Sequence, residues 1–77
     1  MATTLKNKKQ ILNLIDSIDD SASNQMRFIV NNWDATTNER FTPERFANRL
    51  FEKARKCAAL DLKEKARRFA DTAIQIL

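Results

Sequence analysis

Ile11, Ile15, Ile18, Ala22, Met26, Ile29 and Trp33 recur at spacings of four, three, four, four, three and four. At about 100° per residue these seven side chains fall within one narrow arc, which is the signature of a helical seam. Leu12 and Val30 widen the arc on one side and Leu14 on the other. The pattern predicts one long helix over about residues 4–33, with Thr3 or Thr4 as its candidate cap. Asp19-Asp20-Ser21-Ala22-Ser23-Asn24 interrupts it with short polar side chains that compete for backbone hydrogen bonds and favour caps over helix interiors. Because the apolar phase survives this run, a single helix, bent if necessary, is the preferred reading. The alternative is two helices meeting near Asp20.

Residues 34–41 offer no face to bury and read as a loop. The next segment, Phe41-Thr42-Pro43-Glu44-Arg45-Phe46, carries a complete helix start. Thr42 stands at the N-cap, Pro43 at the first helical position where its missing N–H costs nothing, and Glu44 in the first turn. Phe41 and Phe46 occupy the two positions of a hydrophobic staple. The helix predicted from there, about residues 43–59, buries Phe46, Ala47, Leu50, Phe51, Ala54, Cys57 and Ala58. Asp61 and Glu64 resemble a capping box, so a turn near Leu60 leads into a last helix over about residues 62–76. Its expected buried stripe is Leu62, Ala66, Phe69, Ala70, Ala73, Ile74 and Leu77. The fold class that follows is all-α: a single helical domain over residues 1–77, a small bundle of one long N-terminal helix and a C-terminal helical hairpin.

Composition supports helix and narrows the chemistry. The chain has no glycine and one proline, whereas hairpins and barrels rely on glycine where φ is positive. One cysteine, Cys57, excludes an intrachain disulfide, and with no histidine the common zinc sites cannot be assembled. A chain of 77 residues hides only about 60–65% of its unfolded surface, which leaves roughly 3–5 kcal/mol of net stability or less. Tight packing or a partner subunit is therefore expected to complete it. No run approaches the roughly 18 apolar residues of a membrane span. The basic start at Lys6, Lys8 and Lys9 is followed by a segment broken at Asn13 and Asp16, unlike a signal peptide. A cytoplasmic protein is expected.

Catalysis finds little support. Histidine is absent, and Cys57 has no base beside it in sequence and falls on a buried face. Phosphate-binding loops and dinucleotide fingerprints need glycines. Asp16, Asp19 and Asp20 are the single carboxylate cluster; a solvated face or a helix break explains them better than a cation site does. No enzyme activity, cofactor, resident metal or small-molecule substrate is expected.

Charge leans toward a binding role. Residues 1–37 hold four basic and four acidic side chains, residues 38–77 ten and six, so the whole net charge of +4 belongs to the second part. Arg45, Arg49, Lys53 and Lys56 form a stripe, expected opposite the apolar face of their helix, and Arg67 and Arg68 crowd the start of the next. Such a stripe suits a phosphate backbone or an acidic protein partner. An exposed helix supported by the acid-first pairs Glu52–Lys56, Glu64–Arg68 and Asp61–Lys65 accounts for it better than a phosphate backbone does. Phe28, Leu60 and Ile76 fit the expected core least well. Phe28, Trp33 and Ile76 are the candidate protein contacts, Trp33 at the end of the seam because tryptophan is enriched at binding hot spots, although closing the end of the core accounts for it slightly better. The leading expectation is a helical binding protein, a regulator, adaptor or assembly subunit that also self-associates. The alternative is a nucleic-acid-binding protein using Arg45, Arg49, Lys53, Lys56, Arg67 and Arg68.

Overall fold

The computed structural model describes residues 5–36 and 42–77. Among them are four helices of nine residues or more: α1 (Lys8–Asp16), α2 (Ser23–Asn31), α4 (Pro43–Ala59) and α5 (Lys63–Ile76). A single helical turn, α3 (Trp33–Thr36), follows α2. No strand occurs among the described residues.

The expected long first helix is two helices. The polar run makes the break: the Asp20 carboxylate accepts from the Ala22 backbone N–H at 2.9 Å, and the Ser23 hydroxyl donates to the Ile18 carbonyl at 2.9 Å. Side chains thus take backbone partners that a continuous helix would claim. Ile18 nevertheless stays buried and Ala22 half-buried, so the turn preserves the apolar phase while abandoning the helix. Residues 34–36 of the expected loop belong to α3. Residues 37–41, Phe41 of the expected staple and the caps Thr3 and Thr4 lie outside the described residues.

The start of α4 matches its sequence signal: the Thr42 hydroxyl accepts from the Arg45 backbone N–H at 3.2 Å, with Pro43 at the first position. Its end is a Schellman motif. The Leu62 N–H donates to the Cys57 carbonyl at 2.8 Å and the Asp61 N–H to the Ala58 carbonyl at 3.0 Å. This geometry puts Asp61 at φ 61°, the left-handed region that glycine normally fills. Asp61→Gly is expected to stabilise the chain by about 0.5–1 kcal/mol, a rise in Tm of about 4–8 °C per kcal/mol. A thermal melt decides it. An unchanged Tm would mean that the Asp61 carboxylate, close to the start of α5, contributes as much as the backbone strain removes.

α5 packs against α4 on one side and α1 on the other, and α1 packs against α2. The buried face of α5 is accordingly Phe69, Thr72, Ala73 and Ile76, rotated from the expected stripe, and Leu62, Ile74 and Leu77 are exposed. Thr72 is tolerated inside because its hydroxyl donates to the Arg68 carbonyl at 2.8 Å. The core is completed by Ile11, Ile15, Val30, Trp33, Leu50 and their neighbours, with Cys57 buried among them. No described helix is long and apolar enough to cross a membrane.

Candidate functional site

The helices follow one another around the bundle as α4, α5, α1 and α2, and backbones approach closely across the first three seams. Across the fourth, α2 and α4 nowhere bring Cα atoms within 8 Å of each other. Side chains bridge that seam, with a pair at each of its two ends. At one end the rings of Trp33 and Phe46 lie 5.8 Å apart at 34°, a tilted arrangement within the favourable range for aromatic pairs.

At the other end Asp20, on the α1–α2 turn, pairs with Lys53 of α4 at 3.5 Å and Lys65 of α5 at 3.8 Å. The Ala22 N–H bond holds the Asp20 carboxyl below its ordinary value; partial burial opposes this, and the charges of Lys53 and Lys65 add to it. One carboxylate therefore caps the turn before α2 and ties that turn to two other helices.

Between the two ends runs a cleft of about 130 Å³. Met26, Ile29, Phe46, Leu50 and Phe69 supply its apolar surface. Arg49 and Lys53 stand on the α4 wall, Ala22 and Gln25 on the α2 wall. The basic stripe is thus not opposite the buried face of α4 but beside it, on the edge turned toward α2. Arg45 and Lys56 continue that edge by their spacing of four before Arg49 and three after Lys53.

Of the residues singled out from sequence, Phe28 is 62% exposed, whereas Trp33 at 2% and Ile76 at 7% belong to the core and present no surface. Packing decides this: Trp33 closes the α2–α4 seam, and Ile76 lies on the side of α5 that faces the bundle. Arg45, Arg49 and Lys56 are exposed. Lys53 is spoken for by Asp20, and its ammonium also sits 6.0 Å from the centre of the Phe69 ring. Arg67 pairs with Asp71 at 4.0 Å, and Arg68 donates to the Ser17 hydroxyl at 3.1 Å. None of the acid-first pairs expected from sequence closes to within 4.0 Å among the described residues; Lys65 and Arg68 reach across to the α1–α2 turn instead.

The acidic cluster is likewise used for structure, since Asp16 pairs with Arg27 and Asp20 with the two lysines. The described residues contain no group of three side chains placed to hold a metal ion. Sequence reasoning missed the α2 wall of the cleft and the tether at Asp20. The signal for the tether was present, since an Asp two residues before a backbone N–H at a helix start is a common capping arrangement.

No protein-family model matches the chain, and no curated protein or solved structure matches it significantly.

Proposed function

We propose that this chain is a non-enzymatic helical binding module that acts by contact with other proteins, a second copy included, as a regulator, adaptor or assembly subunit in the cytoplasm. The observation that carries this reading is the apolar surface left over once the core is formed. Phe28 is 62% exposed, Leu60 71%, Ile74 59% and Leu77 68%. On a chain whose core supplies roughly 3–5 kcal/mol at best, covering such side chains is the largest stabilisation still open to it. Phe28 is the first of them to test, because it projects from the middle of α2, about 100° around the helix from the cleft residue Ile29.

Light scattering on a sizing column across a salt series tests the proposal. The expected mass is about 17.8 kDa, twice the 8.9 kDa of one chain, insensitive to salt and to random duplex DNA. Phe28→Asp is expected to return it to the monomer value. A chain that gains mass only with DNA, and loses it as salt rises, would instead favour the nucleic-acid reading, because release of condensed counterions makes phosphate binding steeply salt-dependent. The engagement of Lys53 and Lys65 by Asp20 and of Arg68 by Ser17 argues against that outcome.

A further inference from the structure

The α2–α4 cleft is a second surface, separate from Phe28, and its size and charge restrict what enters it. At about 130 Å³ it lies well below the roughly 300–1,000 Å³ of pockets that enclose small-molecule ligands. It is close to the roughly 150 Å³ engineered cavity that holds one benzene molecule. One large apolar side chain fills it, and an acyl chain or a nucleotide cofactor does not. From Phe46 to Lys53 the cleft follows α4 for seven residues, about 10 Å at ~1.5 Å per residue, or two helical turns.

The α4 wall of the cleft is basic. Arg49 and Lys53 line the cleft, no acidic side chain among the described residues does, and the facing wall of Ala22 and Gln25 is neutral. Asp20 engages Lys53 at one end, but Arg49 is exposed and has no ion-pair partner among the described residues. A segment placing one apolar side chain in the cleft would therefore set its flanking residues against Arg49, where a carboxylate gains and an ammonium is repelled.

We infer that the cleft between α2 and α4 receives one large apolar side chain from an acidic amphipathic segment of a partner protein, a carboxylate of which pairs with Arg49. This rests on the reading that the chain binds protein. It adds the chemistry of the partner: a helix-in-groove contact with a single Leu, Met or Phe anchor and acidic residues within one turn on either side. The anchor supplies affinity by burial, and the arginine sets register and selects against basic segments.

The test uses the full chain, labelled with nitrogen-15, and three synthetic amphipathic peptides that share one Phe anchor and differ in their polar residues: Glu, Gln or Lys. Amide shifts locate the binding. The emission of Trp33, the chain's one tryptophan, reports it independently through its ring contact with Phe46 of the cleft.

The Glu peptide is expected to shift residues 22–29 and 46–53. Replacing its anchor by alanine, and Arg49→Glu in the chain, should each weaken it about tenfold, the equivalent of about 1.4 kcal/mol. Arg49→Glu should also reverse the order of the Glu and Lys peptides. Equal binding of all three peptides in the cleft would overturn the acidic partner while leaving protein binding intact. Shifts confined to the surroundings of Phe28, or none with any peptide, would overturn the cleft as the site, and the mass of the Phe28→Asp chain would still decide the broader reading separately.

Discussion

Phe69→Ala is expected to leave the chain without a cooperative thermal transition. Phe69 is fully buried on α5, the helix packed between α4 and α1, and its ring also lines the floor of the α2–α4 cleft. It thus touches both the closed part of the bundle and its open seam. Truncating a buried Phe costs about 3–5 kcal/mol, the transfer free energy of the lost atoms plus the cavity left behind. A domain of this size has roughly that much stability in total. Any transition that survives is expected at least about 12 °C lower, at about 4–8 °C per kcal/mol. Far-ultraviolet circular dichroism during heating checks it. A cooperative melt within about 5 °C of the parent chain would mean that α2 collapses onto the vacated space and that the seam is closed by rearrangement, not held open.

That seam also marks the limit of what the sequence makes legible. The helix beginning at Pro43 is read correctly because its signals are local: a Thr cap, a Pro and a Glu within three residues of one another. The turn before α2 is harder, because spacing records only the angle at which side chains return to the core, and a turn that conserves this angle looks like continued helix. Ile18 and Ala22 do this, lying outside any helix yet against the same core. The side chains that break the helix there, Asp20 as an acceptor and Ser23 as a donor, are visible in the sequence but compete with the seam for the same residues. On α5 the error has another origin. A helix with two helical neighbours buries the arc between them, so Thr72 goes in and Ile74 comes out, an outcome that hydrophobicity along one strip cannot reveal.

The candidate site divides in the same way. The stripe Arg45, Arg49, Lys53 and Lys56 is legible from a spacing of four, four and three. Its role as a wall is not, because the opposite wall belongs to α2, whose position depends on the turn at residues 17–22. Likewise Ile76 looks like a surplus apolar residue for a bundle of three helices, and Trp33, at the end of the first seam, reads either as an anchor or as the closure of the core. With α2 as a fourth long helix beside α1, the bundle has room for both inside.

Asp20 is where these strands meet, and its removal is the second large effect expected. Asp20→Ala deletes the acceptor of the Ala22 N–H, a local turn hydrogen bond worth about 1 kcal/mol. It also strips Lys53 and Lys65 of their common partner; both lysines are partly exposed, so screening by solvent holds each pair to a few tenths of a kcal/mol up to about 1. The sum is about 2 kcal/mol, or a Tm lower by about 8–16 °C. Asp20→Asn keeps an acceptor for Ala22 and removes the charge, so it should recover roughly half of the loss and thereby separate capping from ion pairing. The pH dependence has a fixed sign. Because the folded chain holds the Asp20 carboxyl below its ordinary value, its contribution is complete above the unfolded pKa of about 3.9 and disappears as the pH falls through the lower folded value. The stability gap between the parent chain and Asp20→Ala should therefore be constant from neutral pH down to about 5 and close on further acidification. A gap that stayed open in acid would place the contribution in packing of the Asp20 stem instead of in its charge. Arg49 offers an internal comparison: Arg49→Glu should leave both the Tm and its pH dependence nearly unchanged, since that side chain is exposed and, among the described residues, without an ion-pair partner. The two positions lie along the same cleft, yet one carboxylate holds the seam together while one guanidinium is left over for whatever enters it.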